Sequence, residues 1–156
     1  MRRALILCII AAALVFPSSS ANAADDTTDP ILTDFTLTSS ASIDTGASAV
    51  SFAWTATVTD NLSGVRYIVV YITAPAGMYG NSPVWVSALG DQSVTRSGKA
   101  TLPQYMKYGT YDIYVAIGDH AGNWRLYQSN VPSPPIVGFY DLCAIDTPCK
   151  ITNAAP

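Results

Sequence analysis

The chain contains no glutamate, a single histidine and only three cysteines in 156 residues. Because glutamate is absent, all eleven acidic residues are aspartates. Aspartate favours turns and caps, whereas glutamate favours helix interiors, so this bias indicates a protein of strands and loops. A zinc site needs about four ligands drawn mainly from His and Cys, and the scarcity of both argues against one.

Basic residues are also few, with eight Lys and Arg against the eleven aspartates. Removal of residues 1–23, which we interpret below as an export signal, leaves six basic residues and a net charge near −5. Nucleic-acid binding needs a basic footprint, and anionic lipid attracts the same charge. The charge balance therefore argues against nucleic acid and anionic membrane surfaces as partners.

Residues 1–23 have the three parts of a cleavable signal peptide. Met1–Arg3 is positively charged, Ala4–Phe16 is apolar, and Ala21–Ala23 has the small-x-small pattern of a cleavage site. The apolar run of about 13 residues is too short to cross a bilayer of roughly 30 Å as a helix, and no later run is longer. We therefore expect no membrane span, and a secreted, periplasmic or cell-surface location.

Two cysteines, Cys143 and Cys149, remain after the predicted signal. An even pair in an exported chain predicts a disulfide. The bridge would close a short loop within a proline-rich insert at residues 129–149. Since closing a short loop removes little entropy, we expect local more than global stabilisation from it.

The region after the signal predicts one domain. Residues 24–29 form an acidic lead-in that we expect to be mobile, and residues 30–153 form short β-type runs divided by turn signals. Apolar residues alternate along Ser48–Thr59, which places Trp54 in the core, and along Thr110–Gly118. Seven to nine such strands predict an all-β sandwich, with an open barrel as the alternative.

Three ordered motifs support a more specific fold. They are Asp60-x-x-Ser63-Gly64-Val65, Leu102-Pro103-x-Tyr105-x-x-x-Gly109-Thr110-Tyr111-x-Ile113-x-Val115 and Asp119-x-Ala121-Gly122-Asn123. Over residues 30–128 the chain resembles the immunoglobulin-like repeats of bacterial secreted and cell-surface proteins. The resemblance implies an immunoglobulin-like β-sandwich that serves adhesion, recognition or assembly. We expect the chain to depart from the tandem repeats of that family in two ways, as a single domain after a signal peptide and by its insert at residues 129–149.

The resemblance also assigns a structural role to Tyr111. In immunoglobulin-like sandwiches a tyrosine near the start of strand F bonds back to the backbone, forming a tyrosine corner. Tyr111 is the candidate for that position, and its role would be stability.

Two aspartate turns are the first candidate site. If the two clearest strands are B and F, then Asp60 and Asn61 lie in the B–C loop, and Asp119 and Asn123 in the F–G loop, at one end of the sandwich. Their oxygens would suit calcium, which takes six to eight hard oxygen ligands. The alternative is that these residues only start turns. We expect no required cofactor, and calcium is the one candidate, as a stabiliser.

Exposed aromatics are the second candidate site. Trp85 and Tyr114 could stack on sugar rings, with Tyr114 expected to point outward from its strand. Strands favour aromatics on packing grounds alone, which is the alternative. The expected partner is a protein or carbohydrate at the cell surface.

We expect no enzymatic activity. His120 lies in a tight turn beside Asp119, and no serine has the Gly-x-Ser-x-Gly setting of a nucleophile. The sequence thus predicts a non-enzymatic adhesion, recognition or structural module, with a carbohydrate-binding protein as the alternative.

Overall fold

The computed structural model describes residues 25–37, 42–74, 77–85, 91–130, 139–145 and 148–154, with backbone alone for 77–85. The predicted signal peptide, residues 1–23, lies outside the described residues. Within those ranges no helix is both long and apolar enough to cross a membrane.

The described chain is built from β-strands, with a 3₁₀ turn at Leu142–Ala144 and no α-helix among the described residues, which confirms the all-β prediction. In chain order the strands are β1 (Ile31–Leu37), β2 (Ser42–Ile43), β3 (Val50–Thr59), β4 (Val65–Ala74), β5 (Gly77–Trp85), β6 (Ser93–Leu102), β7 (Gly109–Asp119), β8 (Trp124–Gln128), β9 (Phe139–Asp141) and β10 (Lys150–Asn153).

These strands form two sheets. One sheet has the antiparallel order β1-β3-β6, so the polar strand β6 is at its edge. The other has the order β2-β10-β7-β4-β5, with β8 and β9 added beside β7. Strand β7 pairs with β4 on one side, while β10 and β8 share its other side. Two separate segments therefore occupy one strand position.

Residues 129–149 connect those two segments. They include β9, which pairs in parallel with β8, and the disulfide Cys143–Cys149, as the even cysteine count predicted. Two parts of the insert, residues 131–138 and 146–147, lie outside the described residues.

The core lies between the two sheets and follows the alternation of the sequence. Strand β3 contributes Trp54, which has no exposed surface, and β7 contributes Tyr111 in the same state. Burial of one such large side chain is worth about 2–3 kcal/mol. The other large, fully buried side chains are Phe35, Phe52, Ile68, Ile72, Leu102, Ile113, Ile117, Leu142 and Ile151.

Tyr111 makes the predicted corner. Its hydroxyl donates to the Lys107 carbonyl at 2.6 Å, across the turn that leads into β7. The same carbonyl accepts a longer bond, 3.2 Å, from Asn153 Nδ2. The turn is thus tied both to β7 and to β10.

Strand β5 covers Gly77–Trp85 although it contains glycines and Pro83, which are typical of turns and loops. β5 pairs with β4 on one side and has no further strand beyond it in its sheet as described. Proline and glycine are tolerated on such an edge because no N–H is needed on the open side.

Candidate metal site

Two loops and an N-terminal segment meet at one end of the sandwich. The loop Asp60–Gly64 joins β3 to β4, and the loop Asp119–Asn123 joins β7 to β8. The His120 N–H donates to the Gly64 carbonyl at 3.1 Å, so the loops are in direct contact. The two aspartate turns therefore lie at a common end, as their assignment to strands B and F predicted.

The Asp60 carboxylate closes its own turn with one oxygen. Its Oδ2 accepts hydrogen bonds from Leu62 N at 3.2 Å and Gly64 N at 2.6 Å. Gly64 has a φ of +82°, a conformation that glycine adopts at little cost. The other oxygen, Oδ1, is buried and has no hydrogen-bond partner. Half of this carboxylate is therefore not used by the turn.

Asp119 is held in a similar way from the second loop. Its Oδ1 accepts from Gly122 N at 2.7 Å and Asn123 N at 2.8 Å. Its Oδ2 accepts from the Asn123 side-chain amide at 2.7 Å. The residue is 1% exposed, so the carboxylate is fixed in position and almost fully removed from solvent.

Asp26 is the residue that sequence reasoning missed. It precedes β1, is 6% exposed, and accepts from Ser63 N at 2.9 Å and Thr28 N at 3.0 Å. Asp25 and Asp29 lie close by in the same acidic segment. No local pattern separates Asp26 from them, because its position depends on contacts with a loop 37 residues further along the chain.

The three aspartates form one cluster. One oxygen from each of Asp26, Asp60 and Asp119 lies within 4.8 Å of the others, and all three residues are buried. Burial raises the pKa of Asp26, but the bonds from Thr28 and Ser63 outweigh it and lower the pKa below its ordinary value. Asp26 is therefore a carboxylate at neutral pH.

Two ion pairs elsewhere in the described residues do not include the three clustered aspartates. Arg125 pairs with Asp29, and Lys150 pairs with Asp112, both at 3.5 Å. Close carboxylates repel one another, and a cation bound among them would relieve that repulsion.

The two predicted asparagines play different parts. Asn123 reaches the cluster through its amide nitrogen, which donates to Asp119 Oδ2 and to the Asp26 carbonyl at 3.0 Å. It therefore orients the Asp119 carboxylate and holds the backbone of Asp26 beside it. Asn61 Nδ2 instead donates to Thr28 Oγ1 at 3.1 Å on the exposed surface. Its side chain is thus bonded outside the cluster.

The two predicted aromatics lie on the second sheet. Tyr114 is half-buried on the outer face of β7, opposite Tyr71 of β4, and lines a cavity of about 340 Å³. Trp85 pairs with Tyr67 in backbone register, and its side chain lies outside the described part of the chain. Since Tyr67 and Tyr71 are four residues apart, the two positions are separated by about 13 Å along β4.

In comparisons with known proteins, no family model matches the chain, and no curated protein matches it at a significant level. Its function is therefore inferred from its own residues and their geometry.

Proposed function

We propose that the chain is a secreted or surface-exposed, non-enzymatic module for adhesion, recognition or assembly, stabilised by calcium bound at Asp26, Asp60 and Asp119. The observation that carries the calcium proposal is the buried Oδ1 of Asp60, which has no hydrogen-bond partner in a cluster of three carboxylates. Leaving a buried charged oxygen unpaired is costly, and a cation would satisfy it.

The strand order supports an immunoglobulin-like assignment. The first sheet places strands A, B and E side by side, as β1, β3 and β6. The second places C next to F and F next to G, as β4, β7 and the β8–β10 pair. This is the arrangement of immunoglobulin-like sandwiches, and the tyrosine corner at Tyr111 agrees with it.

The donor set favours calcium over other metals. The cluster offers carboxylate oxygens from three separate segments and no Cys, which suits a hard cation. Magnesium demands near-ideal octahedral geometry and loses its bound water reluctantly, whereas calcium tolerates irregular sets of ligands. We expect a dissociation constant in the range of extracellular modules, about 10⁻⁴–10⁻³ M.

Calcium at this position would tie three parts of the chain together. Asp26 belongs to the segment before β1, Asp60 follows β3, and Asp119 ends β7. Because β1 and β3 belong to one sheet and β7 to the other, the ion would link the two sheets at this end. A module that is stiffened in this way holds its loops in a fixed arrangement for a partner.

Calorimetric titration of calcium into the purified, metal-free protein tests the proposal. We expect one site, with affinity lowered at least about tenfold by Asp60→Asn or Asp119→Asn, since each removes a charged ligand. Asn61→Ala is the matched control, because the Asn61 side chain bonds to Thr28 outside the cluster. Absence of binding up to 10 mM calcium, about ten times the weakest expected constant, would contradict the proposal.

A further inference from the structure

The polar residues 25–29, which we call the N-terminal strap, lie across both loops at the end that carries the aspartate cluster. The carboxylate of Asp26 accepts from Ser63 N at 2.9 Å in the β3–β4 loop. The backbone carbonyl of the same residue accepts from Asn123 Nδ2 at 3.0 Å in the β7–β8 loop. The strap therefore bridges the two loops through a single residue.

Polar contacts, and little apolar surface, hold the strap in place. Its five residues are aspartates and threonines, and of these only Asp26 is buried. Asn61 Nδ2 donates to Thr28 Oγ1 on the exposed surface, and Arg125 pairs with Asp29 at 3.5 Å. Residues of the strap and of the β3–β4 loop together line a cavity of about 170 Å³, so the two are not closely packed there. Segments with few buried apolar contacts are the first to open locally.

Asp26 is also the point at which the strap would meet a bound ion. One of its oxygens lies within 4.8 Å of oxygens of Asp60 and Asp119. Asp60 and Asp119 are held by bonds from their own loops, whereas Asp26 reaches the cluster only while the strap is closed. The buried, unpaired Oδ1 of Asp60 indicates a cation among these groups. An ion held by all three carboxylates would lose one ligand when the strap opens.

We propose that calcium controls the opening of the N-terminal strap, an inference that rests on the calcium site proposed above. Because the closed state binds the ion more tightly, calcium shifts the equilibrium toward it. We take a dissociation constant of about 1 mM for the closed state and at least about 10 mM for the open one. With these values, 10 mM calcium lowers the equilibrium constant for opening at least about fivefold.

Opening changes the surface that this end of the sandwich presents. With the strap closed, Ser63 is 5% exposed and Asp60 8% exposed. With the strap open, the Ser63 N–H loses its acceptor and the Asp60 carboxylate loses a neighbouring carboxylate. A partner that binds this end, or a protease that cuts the strap, would therefore meet a different surface in low and in high calcium.

Amide hydrogen exchange of Ser63, measured by NMR in 1 mM EGTA and in 10 mM calcium, tests the proposal. The Ser63 N–H is bonded to the strap, so its exchange reports strap opening. In chelator it should exchange faster than the buried Ile113 N–H of β7. Calcium should slow the exchange of Ser63 at least about fivefold.

Two variants of the strap form a matched pair. Asp26→Asn keeps an oxygen that can accept from Ser63 N but removes the charged ligand, so calcium should slow Ser63 exchange by no more than about twofold. Asp25→Asn removes one charge from an exposed residue of the same strap outside the cluster, and it should keep the full effect of calcium.

The outcomes separate this inference from the calcium proposal. Calcium binding in calorimetry, with the same Ser63 exchange rate in chelator and in calcium, would overturn the strap inference and leave the calcium site standing. Absence of calcium binding would overturn both. Ser63 exchange as slow as that of Ile113 in chelator, or a full calcium effect in Asp26→Asn, would overturn the strap inference as well.

Discussion

Replacement of Asp60 by asparagine should have opposite effects with and without calcium. In chelator the variant removes one of three carboxylates whose oxygens lie within 4.8 Å. Asp60 forms two of the three charge pairs in the cluster, and at that separation each pair repels by about 3.5 kcal/mol for an effective dielectric constant of 20. The asparagine oxygen can still accept from Leu62 N and Gly64 N, although as a neutral and weaker acceptor. The weaker hydrogen bonds offset most of the stability gained by removing the repulsion. We therefore expect the variant to be more stable than the native protein in chelator by about 1 kcal/mol.

In calcium the native protein should instead be the more stable of the two. For a dissociation constant of about 1 mM, 10 mM calcium stabilises the native protein by about 1.4 kcal/mol, and Asp60→Asn should gain almost none of this. Urea unfolding in 1 mM EGTA and in 10 mM calcium measures both effects, and urea avoids the charge screening that guanidinium would add. Asn61→Ala should follow the native protein in both conditions.

Two results would refute this reasoning. One is an Asp60→Asn variant that is less stable than the native protein in chelator, which would mean that repulsion in the cluster is negligible. The other is an equal gain from calcium in both proteins, which would place any bound ion elsewhere.

Three further predictions concern the fold around the sites. Tyr111→Phe should lower the free energy of unfolding by only about 1 kcal/mol in urea titration, because the Lys107 carbonyl keeps its bond from β10. Gly118→Ala should cost about 1–3 kcal/mol, since its new Cβ would overlap the Tyr67 ring, and a double-mutant cycle with Tyr67→Ala should remove that cost. The fold lowers the pKa of Asp26 from its ordinary value of 3.8, so the stability it contributes is complete above that value and is lost as pH falls through the folded pKa. In chelator, the free energy of unfolding of Asp26→Asn should therefore fall less steeply with decreasing pH than that of the native protein. The same pH dependence in both proteins would contradict this.

Strand alternation predicted the parts of the fold that depend on one buried face. In β3 and β7 the apolar residues recur at every second position, which correctly placed Trp54 and Tyr111 in the core. The turn residues likewise predicted loops after β3 and β7, because each turn is determined by residues close together in the chain, whereas the expectation of a common end came from assigning these strands to B and F. These features are local and can be read from a short window of sequence.

Features that depend on distant contacts could not be read in the same way. β5 contains glycines and a proline, and it is a strand because β4 offers it a partner along its length. Asp26 joins the cluster through Ser63 and Asn123, which are far away in the chain. The same limit applies to the cavity, where Thr73 and Leu126 come together only through the pairing of three strands.

The most direct test of the calcium site is a crystal structure of the protein grown in 10 mM calcium chloride, with data collected at a wavelength where calcium scatters anomalously. We predict one anomalous peak between the two loops, with carboxylate oxygens of Asp26, Asp60 and Asp119 at about 2.3–2.6 Å. A cluster without such a peak, in which Asp60 Oδ1 is satisfied by water alone, would contradict the proposal that this module is held together by calcium.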